Sequence, residues 1–263
     1  MSGKVSWFAG AGPTVVRELF LFFVMSHTIL ALHYWAGSGR EFDVLRALLP
    51  GHVQLLAPDL PGFGRQPVPA GFDFSVRAYA DWVAAYLRQH QGREFTLLGH
   101  SMGGKIALAL AARQPAGLSR LLLLAPSPPT PEPMTDADRA VALGAYGNPQ
   151  AAAKTFSKIT QRRLAVALRE QVIADNLRCS RAAWAAWLQL GSRENIAALM
   201  PKIQVPCHVV VGTDDAAIAL ATQLQHTLPH LPAGTPLTQL PATGHLLPLE
   251  APDVIAAILK TSE

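Results

Sequence analysis

The sequence predicts a single α/β domain of 263 residues with a helical insertion late in the chain. Half of the residues are hydrophobic, which is enough for a chain of this length to bury one large core. Short apolar runs alternate with stretches of helical periodicity in residues 29–125 and again after residue 206. Between these two parts, residues 134–200 are rich in Ala and Arg and have the pattern of helices only.

Residue patterns predict the individual elements. Short apolar runs bounded by Gly, Pro or polar residues indicate strands, and longer stretches with apolar residues three and four apart indicate helices. The predicted strands are residues 29–33, 52–58, 95–98, 121–125, 207–211 and 236–240. The predicted helices are residues 41–49, 74–90, a run ending near 114, 136–143, 149–159, 162–176, 181–190, 194–200, 216–228 and 251–260.

Ser101 lies at the junction of a predicted strand and a predicted helix, in the segment Gly99-His100-Ser101-Met102-Gly103. Glycines two residues before and after the serine let the strand and the helix pass close together without Cβ clashes. The helix N-terminus and the amide of Met102 favour negative charge beside the hydroxyl. We therefore predict that Ser101 is a nucleophile, the alternative being a glycine-rich turn without chemistry.

Several segments resemble the α/β-hydrolase superfamily over roughly residues 28–262, in the order found in that family. They are Leu32-His33-Tyr34-Trp35, Asp59-Leu60-Pro61-Gly62-Phe63-Gly64, Gly99-His100-Ser101-Met102-Gly103, Gly212-Thr213-Asp214-Asp215 and Gly244-His245. The resemblance implies the α/β-hydrolase fold, a mostly parallel sheet flanked by helices with a helical lid inserted late. The core would then comprise residues 25–126 and 204–263, and the lid residues 127–203. Residues 1–24 would be an atypical leader, an extra edge element or a stretch preceding a true start at Met25.

The same resemblance implies the partners of Ser101. A serine hydroxyl is a weak nucleophile without a base, and the base must be oriented by a third group. The family order of serine, acid and histidine implies His245 as the base. The family acid lies three residues after a glycine, here Gly212, which selects Asp215 over Asp214. Some relatives place the acid after the preceding strand, where this chain has no carboxylate until Glu132.

An oxyanion hole formed by the amides of Trp35 and Met102 is also implied by the resemblance. Tyr34 stands where the family has glycine, so we expect the local backbone and the acyl pocket to differ from the family pattern. We expect His33 to brace this loop, and His100 to be a packed or hydrogen-bonded core group.

Four aromatic residues are candidates for substrate binding. Trp184 and Trp187 are three residues apart and fall on one face of the predicted helix 181–190. An apolar aromatic surface there would favour a hydrophobic or aromatic acyl group. The alternative is that both indoles only pack the insertion onto the core. Tyr34 and Phe63 are the further candidates, because the resemblance implies that their loops shape the site around the predicted nucleophile.

Charge and motif spacing argue against nucleic acids and nucleotides as ligands. Lys and Arg outnumber Asp and Glu by 22 to 18, which gives a formal net charge of +4, and the basic residues are scattered. Gly62-Phe63-Gly64 is similar to the start of a dinucleotide fingerprint, but Pro67 stands where the third glycine is required. We therefore predict neither nucleic-acid nor nucleotide binding.

Cysteine spacing and the N-terminal stretch bear on metals and location. Cys179 and Cys207 have no CxxC partner, so we predict buried thiols in a reducing cytoplasm, with no metal and no disulfide.

The apolar residues 19–25 are too few to span a bilayer. Cleavage there as a signal peptide would fall beside the strand 29–33 and remove half of the oxyanion site, so we predict a cytoplasmic protein without a membrane span.

These observations predict a serine hydrolase that cleaves a carboxylic ester, thioester or lactone of a small, largely apolar molecule through an acyl-enzyme on Ser101. No cofactor is predicted, and the sequence leaves the oligomeric state open. Other functions use the same three residues and stay open: C–C bond hydrolysis, peracid formation or haloperoxidase-like chemistry, and cofactor-free oxygenation with the His–Asp pair as base. A ligand-binding receptor that kept the triad is the alternative outside catalysis.

Overall fold

The computed structural model describes residues 27–89 and 94–260, and its strands form one six-stranded sheet. The order across the sheet is β2-β1-β3-β4-β5-β6, and every adjacent pair is parallel. The strands are β1 His27–Leu32, β2 Val53–Leu56, β3 Phe95–His100, β4 Leu118–Leu124, β5 Cys207–Gly212 and β6 Leu237–Leu240. The predicted parallel sheet is confirmed. The prediction for residues 1–24 lies outside the described residues.

Helices connect the strands and form the insertion between β4 and β5. They are α1 Asp43–Leu48, α2 Val76–Gln89, α3 Met102–Ala111, α4 Asp136–Gly144, α5 Pro149–Ile159, α6 Val166–Arg178, α7 Arg181–Gln189, α8 Leu220–Thr222, α9 Leu247–Glu250 and α10 Pro252–Lys260. Helices α4 to α7 make up the insertion, where the lid is predicted. Three of them begin at a side-chain cap, provided by Thr135, Asn148 and Ser180.

The central strands are buried on both faces, which explains their nearly continuous apolar sequences. Alternate residues of a strand point to opposite faces of the sheet. Leu30 and Leu32 therefore pack in a cluster with α2 and α3, whereas Ile29 and Ala31 pack in a second cluster with α1 and α10. Because all strands are parallel, their carboxyl ends lie at one edge of the sheet, and the predicted site residues follow these ends.

Two helix predictions are right only in part. Residues 216–228 do not form one α-helix, because α8 begins only at Leu220 and is followed by a π-helical turn, Gln223–Thr227. The Asp215 carboxylate accepts hydrogen bonds from the amides of Ala217 and Ile218, and this turn replaces the first part of the predicted helix. Residues 194–200 are likewise not an α-helix, since a 3-10 helix covers Ala197–Lys202.

Within the described ranges, no helix has both the length and the hydropathy needed to cross a membrane.

Candidate active site

Ser101 connects β3 to α3 in a strained backbone conformation, with φ 51° and ψ −116°. Positive φ is uncommon for residues other than glycine and marks a backbone that its surroundings hold in place. The Ser101 amide donates to Leu124 O at 3.0 Å, and Ser101 O accepts from the amides of Gly104 at 2.8 Å and Ser127 at 2.9 Å. The turn is therefore fixed against the end of β4, as a nucleophile elbow requires.

The glycines around Ser101 are required by close backbone contacts. A Cβ on Gly99 would lie 2.6 Å from Gly103 O. A Cβ on Gly103 would lie 2.2 Å from Leu32 O, at the end of β1. Distances this short have no room for a side chain, so both glycines let α3 start directly beside β1 and β3.

His245 and Asp215 form a buried hydrogen-bonded pair. The distance from His245 Nδ1 to Asp215 Oδ2 is 2.7 Å, and the two residues are 3% and 6% exposed. Asp215 Oδ1 accepts from the amides of Ala217 at 2.7 Å and Ile218 at 2.9 Å, which fixes the carboxylate. Asp214 is exposed, and its carboxylate accepts from the Thr213 hydroxyl instead. The structure thus brings Asp215, and not Asp214, to the imidazole.

This pair sets the protonation of both groups. Because Nδ1 donates to a carboxylate, Nε2 of the neutral ring carries a lone pair and is able to accept a proton. Burial lowers the pKa of His245, but the charge and hydrogen bond of Asp215, aided by Glu41 and Glu132, outweigh burial and raise it. Burial raises the pKa of Asp215, but the charge and hydrogen bond of His245 and the two amides outweigh burial and lower it.

His100 links the segment of Ser101 to His245. Its Nε2 donates to the backbone oxygen of His245 at 2.8 Å, and the two rings are 4.9 Å apart between centroids. Its Nδ1 lies 3.1 Å from Glu41 Oε1. The prediction of a hydrogen-bonded core group is confirmed, since His100 is fully buried and both ring nitrogens have partners.

The loop after β1 is braced by His33, as predicted. The amide of Leu60 donates to His33 Nε2 at 3.0 Å, so Nδ1 carries the ring proton and donates to Tyr34 O at 2.7 Å. Burial lowers the pKa of His33, which agrees with a neutral ring. A tight turn follows, because the amide of Gly37 donates to Tyr34 O at 3.1 Å.

The two predicted oxyanion donors lie on adjoining segments. Met102 is the first residue of α3, so its amide has no acceptor within the helix. The N-terminal turn of α3 contacts the end of β1, since a Cβ on Gly103 would lie 2.7 Å from His33 O. Trp35 follows two residues later in the same loop. The dipole of α3 favours negative charge at this junction.

The predicted substrate-binding aromatics divide into two groups. Tyr34 lies 6.4 Å from the His245 ring, and Trp35 packs on Trp184 with ring centroids 4.3 Å apart. Trp187 packs on the backbone of Gly191, where a Cβ would lie 2.5 Å from the indole. Phe63 is 1% exposed and packs edge-on against His33 at 5.5 Å. Tyr34 and Trp184 therefore lie beside a predicted site residue, His245 and Trp35 respectively, whereas Phe63 packs on His33 and Trp187 packs within the insertion.

Two buried charges near the site had no clear sequence signal. Lys105, one turn after Ser101, is fully buried and donates to Thr130 O at 3.1 Å and Glu194 O at 2.6 Å. Burial lowers its pKa to about 8. Burial raises the pKa of Glu132 despite opposing effects of Ser127, Lys105, Arg139 and His245. A lysine within a helix of small apolar residues was the one hint.

Both cysteines are free and buried, as predicted, and burial raises the pKa of Cys179 and of Cys207 to about 12 each. Among residues 27–89 and 94–260, no group of three or more His, Cys, Asp or Glu side chains could hold a metal ion.

The chain is similar to known proteins in sequence and in fold. A family model described as the alpha/beta hydrolase family matches residues 29–258. Pimeloyl-[acyl-carrier protein] methyl ester esterase of Aeromonas salmonicida is 37% identical over 100 residues, which cover 38% of this chain and 38% of that protein. The 2-succinyl-6-hydroxy-2,4-cyclohexadiene-1-carboxylate synthase of Enterobacter sp. is 30% identical over 249 residues, or 88% of this chain and 89% of that protein. An esterase from Exiguobacterium antarcticum has the same fold, with a TM-score of 0.80 at 19% identity over 90% of this chain and 91% of that chain.

Proposed function

The chain belongs to the alpha/beta hydrolase family and is a hydrolase, and on that premise we propose that it cleaves carboxylic esters of small, largely apolar molecules through an acyl-enzyme on Ser101. The observation that carries the proposal is the buried His245–Asp215 hydrogen bond of 2.7 Å beside the strained Ser101 turn. Activation of a serine requires a base that is held in one tautomer, and the Asp215 hydrogen bond holds His245 in this way. The esterase relative supports ester hydrolysis as the reaction class.

The first half of the proposed reaction acylates Ser101. His245 Nε2 takes the proton of the Ser101 hydroxyl as Oγ attacks the ester carbonyl, and Asp215 stabilises the resulting imidazolium. The amides of Trp35 and Met102 donate to the oxygen that becomes negative, and the α3 dipole adds to this effect. His245 then gives its proton to the leaving alcohol as the carbon–oxygen bond breaks.

The second half removes the acyl group by the same steps with water in place of serine. His245 takes a proton from water, the hydroxide attacks the acyl carbonyl, and the proton returns to Ser101 Oγ as the acid leaves. The raised pKa of His245 favours this role, since a base works best when its pKa lies near the working pH.

Turnover of p-nitrophenyl acetate, butyrate and hexanoate by purified protein tests the proposal. We expect release of p-nitrophenol that is abolished by Ser101→Ala and independent of oxygen. A second candidate is a carbon–carbon bond reaction with the same three residues, because the relative that covers 88% of this chain is a synthase. Absence of ester turnover in a folded protein would contradict the first proposal and favour the second.

The acid side of the pH profile follows from the His245 pKa. Only the neutral imidazole accepts a proton, so kcat/KM falls as pH decreases through that pKa. Because the pKa is raised above the ordinary value of 6.5, we expect the midpoint above 6.5. A pH–rate profile with p-nitrophenyl acetate measures it, and a midpoint below 6.5 would show that Asp215 does not control the base.

Replacing Trp184 with Ala should change substrate preference. Its ring packs on Trp35 at 4.3 Å, so the substitution opens the wall beside a predicted oxyanion donor. We expect kcat/KM to fall about tenfold to 200-fold for hexanoate and benzoate esters and to stay near wild type for acetate. Trp187→Ala is the matched control, because Trp187 packs on Gly191 and its loss should lower Tm without altering the acetate-to-hexanoate ratio. Equal losses of kcat/KM for all esters in both variants would show that the two indoles stabilise the packing and do not select the substrate.

A further inference from the structure

A short segment of the insertion, residues 159–162 between α5 and α6, lies directly against the loop that carries His245. The amide of His245 donates to Ile159 O at 2.7 Å. A Cβ on Gly244 would lie 2.5 Å from Ile159 O and 3.1 Å from the amide nitrogen of Gln161. Glycine is therefore required at position 244, because the two segments touch through their backbones.

Glu250, the last residue of α9, joins these two segments through its carboxylate. It is 5% exposed and accepts from the amides on both sides of His245, Gly244 at 3.0 Å and Leu246 at 3.1 Å. The oxygen that accepts from Gly244 also accepts from the amides of Gln161 and Arg162, each at 2.8 Å. Hydrogen bonds from N–H groups to an ionised carboxylate are stronger than those between neutral groups.

The Arg162 side chain adds a second set of contacts to the same loop. Its guanidinium donates to Glu250 O at 3.1 Å, to Ala242 O at 3.3 Å and to Pro241 O at 3.3 Å. A cation that bonds several carbonyls of one loop restricts the movement of that loop relative to the segment 159–162.

The sheet holds His245 from the opposite side. His100 donates to the His245 carbonyl at 2.8 Å, whereas Ile159 accepts from the His245 amide at 2.7 Å. The backbone of His245 is thus bonded to the core through one group and to the insertion through the other. The position of the His245 ring depends on the position of this backbone. This matters because a displacement of about 1 Å is enough to reduce catalysis by about 100-fold.

We infer that Glu250 is a positioning residue for His245. Through Glu250, the segment 159–162 of the insertion also helps to hold the base in place. The role rests on the proposed function, since it concerns the base of that reaction. Glu250 acts through the neighbours of His245 and touches neither the substrate nor the reacting atoms. A change in the 159–162 segment would therefore move the base.

Glu250→Gln tests this with little change in volume. One oxygen of Glu250 serves three amides and the other serves Leu246. An amide group has one oxygen only, so its NH₂ must face at least one N–H donor. We expect kcat for p-nitrophenyl acetate to fall about 10- to 100-fold with little change in KM, because the base is displaced and binding is not. We also expect the downfield NMR signal of the His245 Nδ1 proton to shift or broaden.

Asp175→Asn is the matched control for this variant. Asp175 is a carboxylate of similar burial, 3% exposed, that also joins the insertion to the core. It accepts from Ser38 Oγ at 2.7 Å and pairs with Arg40 and Arg178, and among the described residues it makes no hydrogen bond or ion pair with His245 or the residues next to it. We expect Asp175→Asn to lower Tm while kcat and the His245 signal stay near wild type.

Arg162→Met supplies a second variant that leaves the Glu250 carboxylate intact, with the exposed neighbour Arg163→Met as its control. We expect kcat to fall about threefold to tenfold in Arg162→Met. This fold-change corresponds to the net free energy that one hydrogen bond contributes. Arg163→Met should keep wild-type kcat. If Glu250→Gln does not fold, the comparison of Arg162→Met with Arg163→Met tests the positioning role instead.

The outcomes separate the inference from the proposed function. If the wild type hydrolyses esters but Glu250→Gln keeps its kcat and its His245 signal, the inference is overturned. Equal kcat values for Arg162→Met and Arg163→Met would overturn it in the same way. If the wild type hydrolyses no ester, the proposed function fails, and the His245 signal alone then supports or overturns the positioning role of Glu250.

Discussion

Replacing Ser101 with Ala is expected to lower kcat for ester hydrolysis by at least about 10³-fold, because no other group would carry the acyl intermediate. His245→Ala should cause a similar loss, and the double variant should be no worse than either, since nucleophile and base act as one unit. Steady-state kinetics with p-nitrophenyl butyrate measures all three variants against the wild type.

Ser127→Ala is the control for this experiment. Ser127 is fully buried, and its amide donates to Ser101 O at 2.9 Å. Its replacement therefore shows how much kcat changes when a serine hydroxyl next to the Ser101 turn is removed without removing the nucleophile. We expect Ser127→Ala to keep kcat within about tenfold of the wild type. A Ser101→Ala protein that retained more than about a tenth of wild-type kcat would contradict the nucleophile assignment.

Asp215→Asn is expected to lower kcat by up to about 10⁴-fold. Asp215 Oδ1 accepts two amides, from Ala217 and Ile218, so the oxygen of an asparagine would keep that position. The NH₂ group would then face His245 Nδ1 and donate to it, which moves the ring proton to Nε2. A ring protonated at Nε2 is unable to take the proton of Ser101. The loss therefore reflects the wrong tautomer and not an unfolded protein.

Asp214→Asn is the matched control, one residue away. Asp214 is exposed, and its carboxylate accepts from the Thr213 hydroxyl at 3.0 Å. We expect its kcat to stay within about twofold of the wild type, as for most surface substitutions. Equal losses in the two variants, or the reverse order, would transfer the role of the acid to Asp214.

The parallel sheet and the strand–helix turn at Ser101 could be predicted from the sequence because they depend on local patterns. The buried strands are short apolar runs, and Gly99 and Gly103 mark a close strand–helix contact that the structure contains. The choice of Asp215 over Asp214 came from the family resemblance, and the hydrogen bond to His245 agrees with it. The catalytic roles, the lid and the cytoplasmic location remain predictions.

What the sequence did not predict depends on contacts between distant segments. Glu250 bonds amides of residues 161 and 162, and His100 bonds Glu41 and the carbonyl of His245. Every residue has a backbone carbonyl and every residue except proline has an amide N–H, so bonds to these groups leave no pattern in the sequence. The helix predicted at 216–228 begins later than predicted for a related reason, because the Asp215 carboxylate accepts from the amides that would begin it.

The most direct test of the account is covalent trapping of the nucleophile. The protein is treated with diethyl p-nitrophenyl phosphate, which transfers a phosphoryl group to an activated serine, and the adduct is located by peptide mass mapping. We predict one adduct, on Ser101, whose formation parallels the loss of esterase activity and is strongly slowed in His245→Ala. An adduct on another residue that accompanies the loss of activity, or full activity with Ser101 modified, would contradict the account.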